Sequence, residues 1–187
     1  MKLGIRPGKT GFTLVEVLVV VAIMGILSGI GVASLRNAVA NSRIKDAGIN
    51  VTAFMQRAAN EATRLNEKLC VIMNDQSMKL YKGECSTEAS KLGDQIDEMT
   101  LESSNRFLTG SNSGVNCPEL GGETDKDPKD RITLTPKIGV SPIPTGCILI
   151  RYGNTDRYAA SIKVPTKFAM YYKLSYNGGL NDSWFEF

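Results

Sequence analysis

One stretch constrains this chain more than any other: Gly11 to Ala33, read GFTLVEVLVVVAIMGILSGIGVA. From Val17 to Ala33 there is no charge, and Ser28 is the only polar side chain. Counted from Phe12, the run is 22 residues long. At about 1.5 Å per residue it makes a helix of about 33 Å, enough to cross a hydrocarbon core of about 30 Å. A single carboxylate, Glu16, lies near its N-terminal end. An ionised acid at the centre of a bilayer helix costs about 2.5–3.5 kcal/mol, and less near an interface. Glu16 is therefore either a residue with a task or a tolerated interfacial acid.

The residues in front of the run are Met1 to Gly11, with Lys2, Arg6 and Lys9 and no acid. A basic head before an apolar run has the layout of a secretory signal, but an ordinary signal has a shorter run and then a small-residue cut. Here the run leads into SLRNAVANSRIKDAGIN, which reads as more helix. The short basic leader, Gly11, Phe12 and then Thr13-Leu14-Val15-Glu16 resemble the prepilin signature of type IV pilins and type II secretion pseudopilins. The resemblance covers about 25 residues, with leader, Gly, Phe, Thr, Leu and Glu in register. It implies cleavage by a prepilin peptidase between Gly11 and Phe12, N-methylation of Phe12, and a role in assembly for Glu16. Its implied partners are other pilin or pseudopilin subunits, the peptidase and an inner-membrane assembly platform. The implied location is a single pass of the bacterial inner membrane with the C-terminal domain in the periplasm, and later a filament. Many relatives carry a proline near Ala33, and this chain has none. Gly29 and Gly31 can still loosen the helix there, each at about 0.8–1.0 kcal/mol relative to alanine.

The 187 residues allow one ordinary domain beyond the apolar run. The leader accounts for the whole net charge of +3, so the chain from Phe12 onward is formally neutral. Charge is unevenly spread: residues 84–127 hold ten acids and three bases, while residues 128–187 hold eight bases and four acids. Such asymmetry serves subunit or partner contacts, or is simply two solvated faces. There is no histidine, which removes the commonest general base and metal ligand. The cysteines are Cys70, Cys85, Cys117 and Cys147, with no C-x-x-C pair to mark a zinc or redox site. An even number outside the cytosol favours disulfides, and four cysteines allow three pairings. The pairing expected is Cys70–Cys85 with Cys117–Cys147, the alternative being free buried thiols.

After Ala33, apolar or small residues recur at Leu35, Ala38, Val39, Ile44, Ala47, Val51, Phe54, Met55, Ala58, Ala62 and Leu65. Spacings of three and four make one helical stripe, so a single helix from about Phe12 to Leu65 is expected, apolar first and amphipathic second. Arg57 and Glu61 are placed for an i,i+4 pair. Lys68–Met73 and Met78–Tyr81 read as a hairpin around Asn74-Asp75-Gln76-Ser77. Periodicity leaves Ser86–Glu102 undecided between helix and strand, and Ser103–Asp130 reads as loop. Arg131–Pro136, Cys147–Tyr152, Tyr158–Val164 and Lys167–Tyr176 read as strands, Lys137–Gly146 as a Pro/Gly loop, and Trp184–Phe187 as a last edge strand. The expected class is α+β, a long N-terminal helix packed on a C-terminal antiparallel β-sheet domain, the pilin fold that the resemblance implies. The domains expected are a leader 1–11, a transmembrane and assembly half-helix 12–36, and a periplasmic globular domain 37–187. The stretch AFMQRAANEATRLNEKLCVIMND, with ITLTPKIGVSP and GCILIRYG, also resembles the H-type minor pseudopilins and their pilus counterparts.

No catalytic constellation stands out. Ser161 and Cys147 have no histidine partner, and Asp94, Asp97 and Glu98 lie in a polar stretch that reads as a solvated face. The Asp125–Asp130 run offers oxygens to Ca²⁺ but lacks EF-hand spacing, so a solvated loop is the reading and no metal or cofactor is expected. The leading class is a structural subunit rather than an enzyme. The competing class is a DNA-binding minor pilin. Arg151, Arg157, Lys163, Lys167 and Lys173 alternate with Tyr152, Tyr158, Phe168 and Tyr171, a pattern suited to phosphate neutralisation and base stacking. Strand alternation, however, turns some of those aromatics into a core.

Overall fold

The computed structural model describes residues 11–86, 92–102, 104–108, 130–136, 139–140, 147–153, 158–163, 171–176 and 184–186. Among the described residues one helix, α1, runs Leu14–Leu65, and the strands that follow make the protein α+β, as the pilin fold is. By its contacts the chain divides into two compact units, Met1–Val39 and Ala40–Phe187.

In the second unit, α1 buries Ala40, Ile44, Ala47, Val51, Phe54, Met55, Ala58, Ala59 and Ala62. These positions repeat every three or four residues, so they form one face. The expected stripe is therefore correct from Ile44 onward. Its first members, Leu35 and Val39, are instead exposed. Small residues on this face let the helix come close to the sheet, and a Cβ at Gly48 would sit 3.6 Å from the Cβ of Ala160. The helix ends by a local device. Asn66 takes φ +53°, the N–H of Glu67 bonds to the carbonyl of Ala62 and that of Asn66 to Thr63, both at 3.3 Å. This is a Schellman motif with asparagine in the left-handed position usually filled by glycine.

Two five-stranded antiparallel sheets pack with that face. Sheet A contains β1 (Leu69–Asn74), β2 (Ser77–Lys82), β3 (Gln95–Thr100), β5 (Arg131–Thr135) and β6 (Gly139–Val140), in the order β3-β2-β1-β5-β6. Sheet B contains β4 (Asn105–Leu108), β7 (Ile148–Tyr152), β8 (Tyr158–Lys163), β9 (Tyr171–Tyr176) and β10 (Trp184–Glu186), in the order β10-β9-β8-β7-β4. Alternation along the strands sends Leu69, Val71, Met73, Met78, Leu80, Ile132 and Leu134 of sheet A into one core with Phe107, Ile148, Ile150, Ala160 and Ile162 of sheet B and the helix face. Each Leu, Ile, Val, Met or Phe among them contributes about 1.5–3 kcal/mol when fully buried. At the centre of sheet B the opposite face is also closed, since Leu149 and its register partner Ser161 are both fully buried.

Three strands settle or correct the sequence reading. β3 settles the undecided stretch as an edge strand, and β4 stands where Ser103–Asp130 reads as loop. β4 escapes pattern analysis because it has four residues, and the two that point inward are a polar and an aromatic one, Asn105 and Phe107. It also ties the sheets together. The two-residue β1–β2 turn is Asp75-Gln76, and neither residue takes the positive φ that a type I′ hairpin needs. Its carbonyls accept instead from elsewhere: Asp75 from Phe107 N–H and Gln76 from Leu101 N–H, both at 2.7 Å. The Asp75 carboxylate pairs with Arg106 of β4 at 2.5 Å. The Lys137–Gly146 loop likewise holds the short strand β6.

Candidate functional site

The start of α1 is built from a few residues. Gly11, Phe12 and Thr13 are non-helical and exposed, and the helix begins at Leu14. The peptide bond between Gly11 and Phe12 thus lies in accessible chain, with open space around Gly11. Thr13 is the N-cap: its Oγ1 accepts from the Glu16 N–H at 3.3 Å, and its carbonyl accepts from Val17 N–H at 3.3 Å. Glu16 then occupies the third helical position, so Thr13-Leu14-Val15-Glu16 has the spacing of a capping box. It is the acid of the first turn, where the helix dipole favours negative charge. Phe12, Glu16, Val17, Val20 and Val21 line one shallow groove along this end. Glu16 therefore borders the same strip of surface as Phe12.

From here to Val32 the helix has no apolar inside and polar outside. Val19, Val20 and Val21 are successive residues and so face different directions, yet all three are exposed, as are Ile23, Ile26, Leu27 and Ile30. The hydroxyl of Ser28, the one polar group of the run, donates to the carbonyl of Met24 at 2.7 Å. A backbone acceptor inside the same helix is the partner available to a hydroxyl in hydrocarbon. The length and apolarity of the run suffice to cross a membrane.

Residues 6–32 match the family model described as a prokaryotic N-terminal methylation motif. The chain opens with a prepilin-type signal. That signal and the α+β arrangement support a subunit of the type IV pilin or pseudopilin kind, and the apolar helix fits anchoring in a membrane. No curated protein and no solved structure matches the chain.

Other expected residues lie elsewhere. Cys70 and Cys85 are joined by a disulfide. It links buried β1 to the segment after β2, where the Cys85 N–H also donates to Thr133 Oγ1 at 3.3 Å. Cys147 is a disulfide cysteine as well, and Cys117 lies outside the described residues. Arg151 is half-buried on β7, opposite Arg106 of β4 and Ala159 of β8. Lys163 and Lys173 stand on the paired strands β8 and β9, opposite Tyr171 and Ser161. Arg157 and Lys167 lie outside the described residues, and Tyr152 packs against the core. Asp97 pairs with Arg57 at 3.0 Å and Glu98 with Lys79 at 3.5 Å. These carboxylates are thereby matched to bases of α1 and β2. Of the Asp125–Asp130 run only Asp130 is described, 3.7 Å from the Arg131 guanidinium. Sequence reasoning missed Thr13 as a working residue. The signal was present, because a threonine three residues before a glutamate at the edge of an apolar run marks a helix start.

Proposed function

We propose that this chain is a minor subunit of a type IV pilus or a type II secretion pseudopilus. A prepilin peptidase cuts it between Gly11 and Phe12, and Phe12 is N-methylated. Residues 1–11 are the leader, residues 12–36 the membrane and assembly half of the helix, and residues 37–187 a periplasmic domain. The chain crosses the inner membrane once and is then drawn by an assembly platform into a filament of related subunits. The observation that carries this reading is the methylation motif over residues 6–32, placed where accessible chain turns into a helix that is apolar on every face.

Within the filament Glu16 sets register. Removing the leader leaves a cation at Phe12, and a carboxylate and an amine taken out of water unpaired would each cost several kcal/mol. A staggered neighbour brings its Phe12 amine to Glu16 and removes that penalty in one register alone. Intact-mass analysis of the membrane-extracted protein tests the processing step. The expected product starts at Phe12 and carries one added methyl, and Gly11→Val retains the leader. A wild-type chain that keeps its leader, or is cut beyond Ala33, overturns the reading. Glu16→Ala is expected to insert and be cut normally but to enter filaments poorly, with Glu16→Asp intermediate. Normal incorporation of Glu16→Ala beside wild-type subunits removes the register role. Use of the chain in DNA uptake is a separate reading, and it requires salt-dependent retention on DNA.

A further inference from the structure

We infer that Thr13 is the positioning residue for Glu16: its side chain holds the first turn of α1 together and so fixes where Glu16 stands beside the groove that Phe12 also lines. The inference rests on the subunit reading above and adds a residue to it.

The argument starts from what a helix start lacks. The first four N–H groups of α1 have no partner within the helix. In water they bond to solvent. At the edge of a bilayer that option fades, and an N–H without a partner becomes costly. Thr13 supplies an acceptor to one of them, the N–H of Glu16 itself, at 3.3 Å. Its carbonyl closes the next bond, from Val17 N–H, at 3.3 Å. The residue that lines the groove beside Phe12 is thus the residue whose backbone the cap secures. Residues four apart on a helix share a face, which sets Glu16 over Val20 while the turn is intact, and Phe12, in the chain just before the helix, lines the same groove. If the turn frays, Leu14 and Val15 leave the helix and Glu16 becomes its first residue. Its carboxylate then loses a fixed bearing relative to Phe12 and Val20. A pairing that selects one stagger among neighbours depends on that bearing, so the hydroxyl acts through Glu16 without touching the neighbouring chain.

N-cap chemistry provides a test that size or bulk does not mimic. Serine and asparagine cap at least as well as threonine, whereas valine has the same shape and no acceptor. Full-length Thr13→Ser, Thr13→Asn and Thr13→Val are expressed beside wild type, and three quantities are followed: cleavage after Gly11, the share of each variant in sheared filaments, and hydrogen exchange at the Glu16 amide of the protein extracted into detergent micelles. The expected result is that all four chains are cut, and that Ser and Asn enter filaments as wild type does. Val should enter several-fold less well, and its Glu16 amide should exchange about fivefold faster. The inference is overturned if Val matches wild type in filaments or in exchange, or if Ser rescues and Asn does not, which would mark recognition of a hydroxyl rather than capping. Failure of wild type itself to be cut or to reach filaments would instead remove the subunit reading. The exchange measurement would still decide whether Thr13 holds the turn.

Discussion

From Leu14 to Val32 the large apolar side chains of α1 are exposed, Phe12 just before them at 83% and even Val20 at 46%. From Ile44 to Ala62 the apolar side chains of the same helix are buried, Ile44 at 0%. Hydrogen bonding is continuous from one stretch to the other, so the backbone does not separate them. The distribution of apolar residues does. A stripe one face wide needs one partner surface, and the two sheets of the same chain provide it. A run apolar on every side needs a partner that surrounds it, and among the described residues these side chains stay exposed. Lipid, and neighbouring helices of the same kind, meet that requirement.

Substitutions in the two stretches should therefore fail in different assays. The largest effect is expected at Phe54, buried in the core with the Arg57 guanidinium 5.4 Å above its ring. Phe54→Ala should lower the unfolding free energy of the C-terminal unit by about 3–5 kcal/mol. Denaturant melts in detergent measure this, and membrane insertion should not change. The reverse holds for Ile23→Lys. A lysine at the middle of the apolar run should cost about 2.5–3.5 kcal/mol of insertion. Carbonate extraction should then release the chain, while denaturant melts of the C-terminal unit stay as in wild type. A shared defect in both assays would show that the two stretches are not energetically separate.

The parts of the fold that were readable from sequence are those where one interaction dominates. The apolar run and the stripe from Ile44 to Ala62 are legible because burial or its absence repeats with the helix period. The strands β1, β2 and β5 are legible because alternating Leu, Val, Ile and Met mark the core side, and β7 because Ile148, Leu149 and Ile150 make a continuous apolar run. β3 was not, because an edge strand carrying Asp97 and Glu98 solvates its outer side and its ion pairs come from distant residues. β4 was not, because its place is fixed by its ladder with β7 and by the Phe107 N–H bond to the Asp75 carbonyl rather than by its own composition. At the site, the Gly11-Phe12 junction and Glu16 are explicit in the sequence. Thr13 is explicit too, but as part of a motif its physical role is hidden until the helix start is placed.

A smaller effect is expected where α1 ends. Asn66 holds a left-handed conformation that asparagine tolerates and most residues do not. Asn66→Ala should destabilise the C-terminal unit by about 1 kcal/mol, whereas Asn66→Gly should be neutral or slightly stabilising. Equal effects of the two would mean that the side chain, not the backbone, matters there. Neither should alter insertion, since the change lies beyond the apolar run.

The smallest effect concerns a single carboxylate on the solvent side of the amphipathic stretch. The i,i+4 rule pairs Glu61 with Arg57, but the structure pairs it with Arg64 three residues on, at 2.8 Å and 2.5 Å from the guanidinium. Arg57 turns instead to Asp97 and the ring of Phe54. A tertiary partner has outcompeted a local one, and Glu61 takes the arginine left on its own face. The hydrogen bonds from Arg64, and then its charge, hold the Glu61 carboxyl below the ordinary glutamate range. A depressed carboxyl stabilises the fold above its unfolded pKa and loses that contribution as pH falls through the folded pKa. Because both side chains are solvated, the energetic consequence is small, and the titration itself is the useful readout. In an NMR titration, Arg64→Gln should return the Glu61 carboxyl to the ordinary range, and Arg57→Gln should leave it where it is. The opposite outcome would restore the i,i+4 pair. It would also mean that Arg57 is free of Asp97, and that this stretch of α1 is held to β3 less firmly than its buried face implies.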